Sequence, residues 1–315
     1  MKKNSILSIS IGIAAYNEEA NIGRLLDSIK KQRLKKVKIS EILIISSGST
    51  DKTNSIVKKY SLNNKKINLI RQAKRLGKAS AVNLIISLAK NEIIVLMGAD
   101  ILLSNNALER LVFPLLNKNV GLVGSRPVPL NDKSTFFGYT AHLLWDLHHK
   151  ISLTTPKMGE CIAFRKVFRQ IPTLSSVDEA NIEPLIRGQG FKSIYEPRAV
   201  IYNLGAQTLE DYVARRRHIY AGHLATMHEY SYAVSTISGT KILFMLLKNI
   251  ELNWRFILWT PAVIILEIYC RLLGYIDYKI KRKSHTVWQI TKSTKKLPTT
   301  TVLKKSPRSS LTLAK

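Results

Sequence analysis

The first hundred residues alternate between short apolar runs and segments with helical spacing, and this alternation restricts the fold more than any other feature of the chain. Over 6–14 the apolar residues Leu7, Ile9, Ile11 and Ile13 are separated by small ones, the pattern of a buried strand. Asn17 then offers a helix cap, with Glu18 and Glu19 in a first turn where the helix dipole favours acids. Ile22, Leu25, Leu26 and Ile29 follow at helical spacing. The unit repeats as strand 42–45, helix 51–60, strand 67–70, helix 78–89 and strand 93–97. Such alternation predicts an α/β fold, a mostly parallel sheet with helices on both faces.

Sheets of this kind bind ligands beyond the carboxyl ends of their strands. The loops there read AAYNEE (14–19), SSGSTD (46–51), RQAKRLGKA (71–79) and MGAD (97–100), and they must share one edge. Taken alone, SSGSTD serves equally as a helix cap or as a ligand loop.

Beyond residue 101 the alternation weakens. Irregular strands are expected over 120–129 and 159–165, and a helix over 136–151 carries His142, His148 and His149. Adjacent His148 and His149 point different ways, so packed or exposed histidines are favoured over a metal site. Cys161 and Cys270 lack any ligand or disulfide spacing and read as packed thiols.

From about residue 238 the composition turns apolar, in KILFMLL (241–247) and FILWTPAVIILEIYCRLLGYI (256–276). Pro261, Glu267 and Arg271 interrupt the longer run, and a single span would separate the basic tail from the amino-terminal domain, against the positive-inside tendency. Helices lying in the membrane interface, or a hairpin entering and returning, are preferred over an amphipathic subdomain packed on soluble protein. The tail past Lys292 is rich in Lys, Ser and Thr and is expected to be disordered. The opening Met1-Lys2-Lys3 runs into a strand-like pattern rather than a secretory leader, which places the amino-terminal domain on the cytoplasmic side.

A formal charge of +28 admits nucleic acid, anionic membrane or anionic small molecules as partners. No nucleic-acid-binding motif accompanies it, so specific nucleic-acid binding is not expected.

The order AYNEE, SGSTD, GKASAVN, a strand ending in Asp100, Gly159-Glu160, Asp178-Glu179 and RRRHIYAG (215–222) resembles family 2 glycosyltransferases, over roughly residues 6–223. The resemblance implies the GT-A fold in a domain over 1–235, with a nucleotide-binding half over 1–100 and an acceptor half over 101–235. Membrane-associated helices over 236–283 and a basic tail over 284–315 complete the division.

It further implies that Ala15, Tyr16 and Glu18 line the base and ribose, and that Ser46, Ser47, Gly48 and Asp51 form a nucleotide contact. Two serines stand there where the family carries two aspartates. MGAD resembles the Asp-x-Asp metal motif, with Gly98 at the first position and Asp100 retained as the metal ligand. RRRHIYAG resembles the Gln-x-x-Arg-Trp motif with Ala214 and His218 replacing Gln and Trp, which argues against processive synthesis. Arg217 is retained, with Arg216 beside it. Lys78 falls in the third loop, and Glu160 stands where the family lines its acceptor pocket.

Chemistry asks for the same set. A departing nucleoside diphosphate needs its charge stabilised, by Mn2+ or Mg2+ held on Asp100 or by bidentate arginines. An acceptor hydroxyl needs a base, Asp178 or Glu179, and the choice between them stays open.

The expected activity is therefore inverting, metal-dependent transfer of a sugar from a nucleotide diphosphate to a hydroxyl or phosphate of a lipid-linked or membrane-embedded acceptor, at the cell membrane. The motif departures keep a catalytically weakened, membrane-bound binding protein as the alternative. A nucleotidyltransferase is disfavoured because residues 14–20 hold no phosphate-binding glycine.

Overall fold

The structure is a computed structural model that describes residues 6–173, 177–235, 238–248, 253–282 and 287–298. Within the described residues the first half alternates as predicted: β1 (Leu7–Ala15), α1 (Ile22–Lys30), β2 (Val37–Ser47), α2 (Thr53–Asn63), β3 (Ile67–Gln72), α3 (Lys78–Leu88) and β4 (Ile93–Gly98). The elements that follow are β5 (Leu102–Leu103), α4 (Ala107–Val112), β6 (Val120–Pro129), α5 (Phe136–Ser152), β7 (Cys161–Arg165), α6 (Asp178–Arg187), β8 (Lys192–Asn203), α7 (Leu209–Tyr230), α8 (Gly239–Lys248) and α9 (Trp254–Tyr275).

The strands form one sheet in the order β3-β2-β1-β4-β7-β6-β8-β5. β3, β2, β1 and β4 are parallel, while β7 runs antiparallel to both β4 and β6. Alternate residues of each strand serve opposite faces. Ile42 and Ile44 join Ile9, Ile11 and Ile13 under α1 and α2, whereas Leu43 and Ile45 pack beneath α3. The small residues between the isoleucines of β1 have a steric cause. A Cβ on Gly12 would lie 2.3 Å from the Ile85 side chain of α3, so only glycine lets that helix reach the sheet.

Asn17 does not cap α1, which begins at Ile22. Its backbone is left-handed (φ 49°), and its Oδ1 instead accepts from the Thr50 amide at 2.8 Å. Glu18 and Glu19 consequently precede the helix.

The apolar carboxyl-terminal run is one helix. Residues Trp254–Ile280 are long and apolar enough to cross a membrane by length and composition. Thr260, Val263, Cys270, Gly274 and Asp277 are buried, a three-and-four spacing that forms the inner face. Glu267 lies in the same register and binds Arg216 of α7 through two bonds of 2.6 Å. The charge that interrupts the apolar run is thus turned inward, toward α7. A Cβ on Gly274 would lie 2.6 Å from the Arg217 carbonyl, so α9 lies directly along α7. Its other side exposes Ile257, Leu258, Ile265, Ile268 and Leu272.

The disordered tail expected past Lys292 is not what the described part of that segment shows. Residues 287–298 pack across the first half of the chain, with Leu297 only 2% exposed against Leu102 and Leu204. Residues 299–315 lie outside those described.

Candidate active site

Strand register assembles the site. Ala15 pairs with Ser46, Ser47 with Gln72 and Ala14 with Gly98, so four loops leave the parallel strands at one edge. β7 enters from the opposite direction with Cys161 beside Met97, which sets Glu160 against the loop carrying Asp100. The resulting cleft of about 200 Å3 is lined by Tyr16, Ser47, Lys78, Asp100, Glu160 and Arg215, among others.

The first two loops are stitched together. Ser49 Oγ accepts from the Asn17 amide at 3.1 Å and from Ser46 Oγ at 2.9 Å, and Thr53 Oγ1 accepts from the Glu18 amide at 2.7 Å. Asp51 accepts from the amides of Glu19 and Thr53 at 3.0 and 2.9 Å. Ser46, Gly48 and Asp51, expected as nucleotide contacts, shape the loop from behind, and only Ser47 of this stretch lines the cleft. Gly48 (φ 71°) is required where it stands, because a Cβ would meet the Arg75 amide at 2.7 Å. That close approach brings the Arg75 guanidinium to 4.0 Å from the centre of the Tyr16 ring.

Lys78 opens α3 and Asp178 opens α6, and the two helix starts meet. Lys78 Nζ lies 2.8 Å from Asp178 and 3.2 Å from Glu179. Burial works against the lysine's charge, but the two carboxylates outweigh it and hold the ammonium above the ordinary lysine range. Glu179 is pushed up to about 7, first by burial and then by Asp178, with Lys78 opposing. Asp178 is 2% exposed, and its Oδ2 has no hydrogen-bond partner among the described residues. The Glu179 side chain retains 21% exposure and is the more accessible of the two.

The three arginines of α7 fan apart, since successive helical residues are about 100° apart. Arg215 bonds Glu160 at 2.7 Å and lines the cleft. Arg216 is committed to Glu267. Arg217, expected to grip the leaving group, instead makes a two-bond ion pair with buried Asp277 at 2.6 and 2.7 Å. The arginine that lines the cleft is thus Arg215 and not the expected Arg217, a difference that only helix phase creates. Glu18 lines the cleft, with its carboxylate already engaged. It is 6% exposed, accepts from Asn21 at 2.9 Å and pairs with Lys295. Burial, then the charge of Asp100, raises it to about 7, while Lys295 pulls the other way.

Residues 287–298 form a strap over this edge. Arg75 donates to the Trp288 carbonyl at 2.5 Å, and the Trp288 ring sits 4.2 Å from that of His218. Lys295 Nζ donates to the Tyr16 carbonyl at 2.8 Å. Asn21 bonds the Lys295 carbonyl at 2.9 Å and the Leu297 amide at 3.0 Å, and Arg24 takes the Leu297 and Pro298 carbonyls at 2.6 Å each. Trp288 and Leu297 were the signals available, apolar side chains within a basic stretch.

Asp100 tests the site's fitness for a metal ion. Its Oδ1 would lie 2.6 Å from a Cβ on Gly98, so the missing first aspartate leaves room for the second to fold back. Among the described residues the Asp100 carboxylate has no hydrogen-bond or ion-pair partner, and no group of three metal-type side chains occurs. A lone, unpaired carboxylate on a phosphate-sized cleft fits a hard divalent cation that takes its remaining ligands from diphosphate and water. The histidines of α5 lie elsewhere: His149 Nδ1 is 2.9 Å from the Tyr195 hydroxyl, and His148 packs on Trp145 and Tyr195.

A mixed sheet of this order, with carboxylates and an arginine gathered at the ends of its parallel strands, defines the GT-A class. Residues 10–173 match the model of glycosyl transferase family 2, and the chain belongs to that family. It is 30% identical to the beta-monoglucosyldiacylglycerol synthase of Nostoc over 46% of this chain and 32% of that one. Identity is 32% to a dolichyl-phosphate beta-glucosyltransferase of Trichomonas vaginalis, over 29% of this chain and 30% of that one. The chain thus spans about a third of the length of these curated relatives. Among solved structures, the mannosyltransferase of Pyrobaculum calidifontis in complex with GDP-Man and Mn2+ superposes with a TM-score of 0.63 at 21% identity. That match covers 87% of this chain and 88% of the other.

Proposed function

We propose that the chain is an inverting glycosyltransferase that moves a sugar from a nucleoside diphosphate to a hydroxyl or phosphate of a lipid-linked acceptor, docked on the cytoplasmic face of the cell membrane. One cleft lined by Lys78, Asp100 and the Glu160–Arg215 pair, with Asp178 and Glu179 tied to its wall through Lys78, carries this reading.

In this reading Tyr16 and Ser47 contact the nucleotide, beside Ala15 at the end of β1. Asp100 holds Mn2+ or Mg2+, which when bound supplies Lewis-acid stabilisation of the diphosphate. Arg215 leaves Glu160 to share the charge of the departing diphosphate, while Glu160 turns to the acceptor or donor sugar. Glu179 takes the acceptor proton, because a carboxyl near 7 accepts protons efficiently at neutral pH. Asp178 and Lys78 position it. The acceptor oxygen attacks the anomeric carbon opposite the diphosphate, and a single displacement by one base inverts the configuration.

Two observations support the membrane. The exposed side of α9 is apolar, and the curated relatives named above carry lipid acceptors in their names. With α9 fastened along α7 through Glu267 and Asp277, it lies flat in the interface rather than across it. The test is diphosphate release from a panel of nucleotide sugars with Mn2+ or Mg2+ and a membrane lipid extract. Release is expected for at least one donor. Donor binding without release under every condition would favour the weakened binding protein.

A further inference from the structure

A second cavity adjoins the donor cleft. It has a volume of about 430 Å3, lies between α5, α7, α8 and α9, and shares Glu160 and Arg215 with the cleft. Much of its wall is apolar, and Leu243 and Ile268 carry that wall out to the exposed apolar surface of α8 and α9. The charged groups that line it are answered within the protein. Glu160 binds Arg215, while Glu267 binds Arg216 and accepts from the Tyr212 hydroxyl. The Arg271 guanidinium stands 5.6 Å from the centre of the Tyr220 ring, and the charges of Glu179 and Glu183, as well as of Arg216 and Arg271, act on Lys157. Charge in this cavity therefore calls for no ionic ligand.

Two neutral groups are not answered. His148 is 5% exposed and lines the cavity, with the rings of Trp145 and Tyr195 centred 5.1 and 6.0 Å from its own. Neither of its ring nitrogens has a hydrogen-bond partner among the described residues. Burial, then Lys157, lowers it to about 3, with the Met158 backbone opposing. At neutral pH the ring is uncharged and carries one donor and one acceptor. Asn203, 3% exposed at the end of β8, lines the same cavity with its Oδ1 unbonded. Buried polar atoms ordinarily have partners, so two such residues on one cavity mark where a ligand bonds. Trp145 lines the cavity with them.

The chemistry of these three side chains selects the headgroup. The reacting group is committed to Glu179, which is tied to Lys78 on the donor side, so His148 and Asn203 need further polar groups on the ligand. A simple alcohol brings none. A phosphate dianion brings acceptors but no donor for Asn203 Oδ1. A sugar brings several hydroxyls, each both donor and acceptor, and an apolar C–H face that packs on an aromatic ring.

We propose that this cavity holds the acceptor and that the acceptor is a glycolipid, its sugar headgroup on Trp145, His148 and Asn203 and its chain along α8 and α9. The proposal rests on the glycosyltransferase reading and narrows the acceptor from a hydroxyl or phosphate to a sugar hydroxyl. A hydroxyl oxygen of the headgroup forms the bond to the donor's anomeric carbon as the bond from that carbon to the diphosphate breaks. The leaving nucleoside diphosphate keeps the electron pair, and the hydroxyl proton goes to Glu179. The product is the same lipid carrying one more sugar.

The experiment uses full-chain protein, Mn2+ and the nucleotide-sugar panel, with phosphatidylcholine vesicles carrying probes that share one chain and differ in headgroup. These are the dodecyl glycosides of glucose, galactose, mannose and N-acetylglucosamine, dodecanol, and dodecyl phosphate, with the methyl glycosides and the membrane lipid extract in further arms. At least one dodecyl glycoside is expected to support diphosphate release and to gain a sugar, with a KM at least tenfold below that of its methyl counterpart. Trp145→Ala, His148→Phe and Asn203→Leu are expected to raise KM for that glycoside at least tenfold while leaving donor KM within twofold. The thermal midpoints of His148→Phe and Asn203→Leu should be retained, whereas a purely structural role would lower them and leave the acceptor KM in place. Release that is equal or greater with dodecanol or dodecyl phosphate overturns the proposal, as does an unchanged acceptor KM in all three variants. A methyl glycoside as good as its dodecyl counterpart overturns the place of the lipid chain. Release with the lipid extract but with no glycoside sinks the sugar assignment and leaves the glycosyltransferase reading standing. No release from any donor with any acceptor removes both.

Discussion

Glu179 and Arg217 show how differently two charged side chains of one domain are employed. Glu179 lies half-buried beside Asp178 and Lys78, with its carboxyl raised to about 7. If it is the base, the ionised form is the active one, so kcat/KM should climb about tenfold per pH unit below 7 and level off above it. Glu179→Gln should lower kcat by about 10²-fold or more while donor binding, followed by titration calorimetry, stays within twofold. Arg217 makes a well-formed ion pair with buried Asp277 and does not line the cleft. Arg217→Ala should therefore cost about 2 kcal/mol in stability by removing both of its bonds to the buried Asp277 carboxylate. It should appear as a lowered thermal midpoint, with kcat of the folded fraction retained. A collapse of kcat at unchanged stability would return Arg217 to the site.

Among elements, the strap over 287–298 and the helix α3 make contrasting demands. The strap crosses a cleft of about 200 Å3, smaller than the 300 Å3 or more common for ligand pockets, so a shift of the strap on donor entry is the expectation to test. Lys295→Ala removes the contacts to Tyr16 and Glu18 that hold it down. Donor association, followed by Trp288 fluorescence in stopped flow, should become faster; an unchanged or slower rate would mean that the strap does not limit entry. α3 has no such latitude. Gly12→Val would drive two methyl groups into Ile85 and should cost about 1–3 kcal/mol in chemical denaturation, because an overpacked sheet and helix have nowhere to move.

For the molecule as a whole, charge and apolar surface act together. The chain carries +28, and α9 turns Ile257, Leu258, Ile265, Ile268 and Leu272 to solvent. Binding to anionic vesicles should weaken as salt rises, since the electrostatic part is screened while the apolar part is not. Replacing Leu258 and Ile265 by Asp should reduce vesicle binding at every salt concentration and leave donor binding unaltered, as measured by co-sedimentation and calorimetry. Vesicle binding that survives this pair of changes would place the membrane contact elsewhere.

The sequence alone determined the sheet's parallel half and the edge where its loops gather, because strand and helix periodicities are local properties that a chain declares residue by residue. Asp100, Lys78, Glu160 and the Asp178-Glu179 pair were legible for the same reason, each standing at the end of a recognisable element. Tertiary structure alone decided what depends on helix phase and on contacts between distant segments. It put Arg215 rather than Arg217 at the cleft, since three consecutive arginines on one helix are equivalent until a neighbour fixes its rotation. It turned Glu267 inward to Arg216, so that a charge breaking an apolar run became the fastening of α9. It also laid residues 287–298 across AAYNEE, where Lys295 meets Glu18 across 277 positions of chain, a pairing no local pattern encodes. The SSGSTD turn shares both origins: its glycine was readable as a turn, but only the approach of Arg75 to Gly48 shows why no other residue fits.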